Sequence, residues 1–121
     1  MSGWAWAAVA MLGGVGATAR FLIDGRISQR LGRDFPFGTL MVNLTGALLL
    51  GLLSGLALSG EALVLAGTAT LGSYTTFSTW MLETQRLAED GEVRAAIVNA
   101  WLSVIVGVSA AALGRAIGAH L

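Results

Sequence analysis

Seven Ser and Thr side chains crowd into twelve consecutive residues: Thr68, Thr70, Ser73, Thr75, Thr76, Ser78 and Thr79, with Gly72 in their middle. They lie in the stretch GTATLGSYTTFSTWMLE, residues 67–83, inside an otherwise apolar segment. Hydroxyls compete for backbone hydrogen bonds, so packed around a glycine they propagate a regular helix poorly. At membrane depth, backbone that leaves the helix is tolerated only against protein or a water-filled path. The stretch predicts either an interrupted helix lining something polar or a tight helix–helix seam of small residues. These residues alone leave both readings open.

Further polar groups sit inside apolar segments. Asn43 lies well inside the second one, too deep for a simple cap, and its amide must find a partner or a water-lined path. Asn99, Ser103 and Gly107 fall at i, i+4 and i+8, one narrow polar-to-small stripe on a helix. Phe77 and Trp80 are three apart and share a face that Glu83 and Thr84 continue. Taken singly, each is a packing or interhelix hydrogen-bonding feature; together they give three helices a donor-rich stripe. No charged residue occupies the middle of any span, whereas proton-coupled transport and cation pumping place ionisable groups there. Glu83 and Arg20 sit near span ends. Neutral N–H and O–H donors, with the positive edges of aromatic rings, suit a small anion that must bind and still leave. The inventory points to anion permeation without choosing the anion. It offers no nucleophile–base pair or metal cluster, so the chain is not read as an enzyme.

The elements that must carry these groups follow from composition. The chain is 55% hydrophobic and 12% charged, with a mean hydropathy of +0.76, too apolar for a soluble domain of 121 residues. Seven Arg balance seven Asp and Glu, leaving no basic footprint for nucleic acid. There is no Cys, hence no disulfide framework or zinc motif. Four charge-free runs can each cross a bilayer: residues 1–19, 37–58, 62–82 and 95–114. The first lacks a basic leader and reads as a retained helix, with Trp4 and Trp6 at the interface. It is expected to end at Arg20, before a polar connector through Asp34. A short turn at 58–61 makes the second and third runs antiparallel neighbours, and the third helix continues past Glu83 until Asp90-Gly91. Gly51 with Gly55, Gly13 with Ala17 and Gly107 with Ala111 are small-xxx-small pairs, expected to be close-packing positions. Residues 1–121 form a single four-helix membrane domain in this reading.

Three ordered segments then resemble one family. Gly16-Ala17-Thr18-Ala19-Arg20-Phe21 is similar to the GAxxR-aromatic signature of the CrcB/Fluc family of fluoride channels. FPFGTLMVNLTG, residues 35–46, resembles its aromatic-P-x-GTLxVNxxG segment, and GSYTTFSTW, residues 72–80, its G-x-x-TTFST-aromatic segment. The resemblance covers essentially the whole chain.

It implies an all-α membrane protein: an antiparallel homodimer of four-transmembrane-helix subunits with the third helix interrupted. It implies two fluoride pathways and a structural, non-transported Na⁺ on the two-fold axis, held by backbone carbonyls of Gly72 and Thr75 from each chain. The pore asparagine maps to Asn43, the facing aromatic pair to Phe77 and Trp80, and the fourth-helix track to Ser103. Glu83 is the acidic residue beyond the aromatics, and Arg20 the basic residue at the vestibule. Trp80 stands where the family usually has a second Phe, and Asn99 and Gly107 stand where it often has an aromatic or a hydroxyl. Six of the seven Arg lie on the side of the first and third connectors, which favours one orientation by the positive-inside rule, whereas an antiparallel dimer needs both. The reading is a passive fluoride channel of the inner or plasma membrane. A small four-helix multidrug or cation exporter is the alternative; it would need a carboxylate within the first helix, and 1–19 contains none.

Overall fold

A computed structural model covers residues 1–121 and is all-helical. Helix α1 runs from Gly3–Leu31, well beyond the expected end at Arg20. Arg, Asp, Ser and Gln at 20–30 do not break a helix, and the Ser28 hydroxyl donates to Asp24 Oδ1 one turn back at 3.3 Å. At about 1.5 Å per residue α1 is about 43 Å long, more than a hydrocarbon core of about 30 Å, so its polar final turns continue into water. It stops at Gly32, whose φ of +80° a side chain would resist.

Helix α2 (Phe37–Gly55) begins directly after Pro36. A turn leads to α3 (Gly60–Leu63), which passes into a π-helical run, Val64–Leu71, and then into α4 (Gly72–Tyr74). Within the run the Thr70 hydroxyl donates to the Leu65 carbonyl five residues back at 2.7 Å, matching the wider turn. Helix α5 (Ser78–Glu89) follows, and after Gly91 at φ +81° the chain closes with α6 (Val93–Ala119). Helices α1, α2 and α6 are each long and apolar enough to cross a membrane, with mean hydropathies of 1.5, 1.7 and 2.0 over an apolar stretch of 18 residues in each. The remaining apolar segment of the sequence, 62–82, is divided among α3, the π-helical run, α4 and α5, none of crossing length by itself.

Packing centres on α2. Its longest seam is with α6, while α1 lies against the π-helical run and α4, and α5 against α6. The α2–α6 seam is reciprocal. A Cβ on Gly51 or Gly55 would overlap the carbonyls of Ala111 or Arg115, and one on Gly114 or Gly118 those of Leu48 or Leu52. Backbones approach this closely only where side chains vanish, the membrane solution to helix association. Gly107, by contrast, has nothing within 4 Å of where its Cβ would be, so it is not the packing residue that its spacing from Ala111 suggested. Gly16 presses on the Thr70 carbonyl, and Val42, Leu71 and Tyr74 form the small buried core. The Tyr74 hydroxyl is 2.9 Å from that of Thr45. Outside these contacts large apolar side chains face outward, among them Met11, Phe21 and Trp101.

The two kinds of glycine should separate experimentally. Gly114→Leu forces a side chain into the α2 backbone and should cost about 1–3 kcal/mol or more. Gly107→Ala enters open space and should change stability by no more than about 1 kcal/mol. Thermal unfolding in detergent micelles measures both, and equal losses would contradict the seam.

Candidate functional site

The site is built where helical structure stops between α4 and α5. Gly72 is itself helical (φ −63°, ψ −34°); the chain leaves the helix three residues later, at Thr75 (φ −81°, ψ 161°). The sequence reading put the break near Gly72, but hydroxyls rather than the glycine make it. Thr75 Oγ1 donates to the Leu71 carbonyl at 3.1 Å, closing the end of α4. The Thr76 hydroxyl accepts the Thr79 N–H at 3.2 Å, satisfying a free donor in the first turn of α5. Gly46 of α2 seats the segment, since a Cβ there would overlap the Thr75 methyl.

Across the gap, Asn43 takes the place of the missing helical turn. Its Nδ2 donates to the Thr76 carbonyl and its Oδ1 accepts the Thr76 N–H, both at 2.8 Å. In a continuous helix that N–H would bond the Gly72 carbonyl. Diverted to Asn43, it leaves the Gly72 oxygen with no hydrogen-bond donor, and the Thr75 oxygen has none either. Two neutral carbonyls in the negative field at a helix C-terminus suit a hard monovalent cation. No group of three or more His, Cys, Asp or Glu offers a site for a more highly charged metal.

On one side of this clamp lies an open groove of about 430 Å³ lined by Asn43, Thr75, Thr76, Phe77, Trp80, Ser103 and Gly107, together with apolar residues of α2 and α6. Asn43, Phe77, Trp80 and Ser103 are thus brought together. Phe77 and Trp80 meet edge to face, with centroids 5.4 Å apart and planes at 78°. Phe77 is 70% exposed, standing at the rim of the groove. The Ser103 hydroxyl is buried and has no partner. Gly107 contributes an absence of side chain that keeps the groove open.

The third member of the α6 stripe is elsewhere. Asn99 is 2% exposed and does not line the groove. Its Nδ2 donates to Thr84 Oγ1 at 2.8 Å, while its backbone carbonyl accepts the Trp80 indole N–H at 3.2 Å. Thr84, noted in the sequence only as extending an aromatic face, proves to be a junction between α5 and α6.

Arg20 and Glu83 flank the groove rather than line it. Arg20 borders a smaller cavity of about 170 Å³ with Asp24, Thr39 and Thr79, and Thr76 belongs to both this cavity and the groove. Glu83 faces a polar cavity of about 630 Å³ with Arg33, Asp34, Arg86 and Asp90, and one of its carboxylate oxygens is buried without a partner. Gly46 and Thr84 are the residues to which sequence reasoning gave no such role; small size on α2 and a hydroxyl one turn after Trp80 were the available signals.

A sequence profile described as CrcB-like protein, Camphor Resistance, matches residues 7–115. The chain belongs to the CrcB family. It is a multi-pass membrane protein. The chain is 59% identical over 110 residues to the fluoride-specific ion channel FluC 2 of Mycolicibacterium paratuberculosis, covering 91% of this chain and 90% of that one. It is 56% identical to the FluC 2 protein of Mycobacterium tuberculosis, covering 91% and 87%. A fluoride-specific ion channel FluC 1 from Symbiobacterium thermophilum is 46% identical over 119 residues, covering 93% and 96%.

In this CrcB-family chain the clamp makes a direct prediction. Asn43→Ala orphans the Thr76 N–H and carbonyl, at about 1–3 kcal/mol for each group that stays unpaired. Thr76 amide exchange should accelerate accordingly, unless its N–H recloses on Gly72. Hydrogen–deuterium exchange in micelles reads this out, and unchanged protection with unchanged stability would remove Asn43 from its structural role.

Proposed function

We propose that the chain is a passive fluoride channel that exports fluoride across the cell membrane and so lowers its cytoplasmic concentration. The observation that carries this is the convergence of Asn43, Phe77, Trp80 and Ser103 on one groove, in a chain whose relatives bear the name fluoride-specific ion channel. A dehydrating anion needs donors that replace water without holding it fast. Ser103 offers an unpaired hydroxyl, and Asn43 retains a second N–H after bonding Thr76. Ring edges supply weak positive charge. No ionisable side chain lines the groove, which disfavours the cation-exporter alternative. Arg20 stands at one mouth in this reading, drawing anions in, and Glu83 marks the aqueous cavity beyond the aromatics.

The same reading makes 60–89 a third, interrupted crossing between α2 and α6, giving four transmembrane helices, and pairs the chain antiparallel with a second copy. The exposure of Phe77 on an open groove supports a covering partner. So does the carbonyl count, because Gly72 and Thr75 supply two oxygens per chain and a two-fold axis doubles them. Na⁺ fits those neutral oxygens. Its charge, when bound, offsets the helix-end dipoles, while Asn43 and Thr76 hold the carbonyls free.

Fluoride efflux from proteoliposomes, read with a fluoride electrode, tests the function. The parent should release fluoride without any coupling ion gradient. Phe77→Ile keeps apolar bulk but removes the ring edge, and should cut flux about tenfold or more. Parent-like flux in Phe77→Ile would leave the aromatics as packing. Tag accessibility in vesicles should find both orientations; a single orientation would eliminate the antiparallel dimer and side with the arginine distribution.

A further inference from the structure

We propose that Trp80, Asn99 and Thr84 form a bracket that turns the indole N–H out of the groove, so that a passing anion meets Trp80 only through the carbon-bound edge of its ring. The proposal rests on the fluoride reading above and names the residues that set how tightly that groove holds its anion.

Trp80 lines the groove, yet its one strong donor points away from it. Nε1 donates to the Asn99 carbonyl on α6 at 3.2 Å. The Asn99 amide, in a residue only 2% exposed, donates to Thr84 Oγ1 at 2.8 Å. Thr84 Oγ1 in turn donates to the Trp80 carbonyl, also at 2.8 Å. The three bonds close a ring from α5 to α6 and back. An indole has one N–H and no acceptor, so once that donor is spent the ring offers an anion only its C–H edge. Phe77, edge to face with Trp80 at 5.4 Å, completes a wall of carbon. The difference matters because a hydrogen bond to an anion is roughly twice as strong as one between neutral groups. A free indole N–H would grip a dehydrated anion, and passage needs binding weak enough to leave. Thr84 and Asn99 are positioning residues: neither touches the groove, and both act through the ring of Trp80.

Two measurements test the bracket. In proteoliposomes, Thr84→Val removes the hydroxyl that ties the Asn99 amide to the Trp80 carbonyl. Helix α5, no longer pinned to α6 there, lets the indole swing off the Asn99 backbone carbonyl. Maximal fluoride flux should fall about tenfold, and the half-saturating fluoride concentration should fall with it, because binding tightens as release slows. Thr84→Ser should restore both values. In a Trp80→Phe background there is no N–H to release, so adding Thr84→Val should not tighten half-saturation. Tightening in that background as well, or loss of maximal flux with unchanged half-saturation, would overturn the proposal. The second measurement is independent of transport. Among the four indole N–H signals in ¹⁵N–¹H spectra of the protein in micelles, Trp80, assigned by Trp80→Phe, should exchange at least tenfold more slowly than exposed Trp4, Trp6 and Trp101. Thr84→Val should abolish that protection. Equal exchange at all four indoles defeats the bracket whether or not the protein carries fluoride. Absence of flux in the parent with a protected Trp80 would instead defeat the fluoride reading.

Discussion

A single side-chain amide holds the rest in place. The two 2.8 Å bonds between Asn43 and the Thr76 backbone replace the turn that would have joined α4 to α5. They satisfy the Thr76 N–H and carbonyl within an apolar segment, where an unpaired group costs several kcal/mol. The same pair has effects on both sides. Toward the groove it fixes the backbone from which Phe77 and Trp80 project. Away from it, it takes the N–H that the Gly72 carbonyl would otherwise accept. The proposed anion path and the proposed cation cage therefore share one clamp.

That clamp works only because α2 is held rigidly. The helix carries Asn43, the seat for Thr75 at Gly46, and the two seam glycines Gly51 and Gly55 on a single 19-residue element. Locking its lower half against α6 backbone to backbone sets the height of Asn43 relative to Ser103. Small residues thus do two unlike jobs on α6. Gly114 and Gly118 admit a neighbouring helix, while Gly107 admits nothing and leaves room in the groove.

Much of this was legible in the residues. The density of Ser and Thr from 68 to 79 left an interrupted helix and a small-residue seam both open, and the family resemblance named Asn43, Phe77, Trp80 and Ser103, which the structure sets around one groove. What failed did so for physical reasons. The hydroxyls cluster around Gly72, but the chain leaves the helix at Thr75: an isolated glycine costs a helix only about 1 kcal/mol, and paired threonines with hydroxyls returned to the backbone outweigh it. Gly107 shares a face of α6 with Gly114, seven residues on, and Ala111 meets Gly51 in the seam, yet nothing comes within 4 Å of a Cβ on Gly107; spacing gives the face and not how far along it α2 stays close. Asn99 looked like part of a polar track because its period matched; its partners, Thr84 and the Trp80 indole, lie on another helix and no periodicity encodes them. Helix α1 ran on through its charged residues because charge ends a membrane span and does not end a helix.

The π-helical run Val64–Leu71 has a consequence for how such a chain can vary. A run whose bonds reach five residues back takes more residues into each turn than an α-helix does. Tightening it to α geometry would advance everything after it by about 100° for each residue in excess. Thr70, pressed against Gly16, and Thr75, seated on Gly46, would then swing off their partners together. The length of this run is a constraint separate from the side chains that it carries. Deletion or insertion of one residue here acts as a frame change in three dimensions, turning α4 and the break that follows to a different face of the protein.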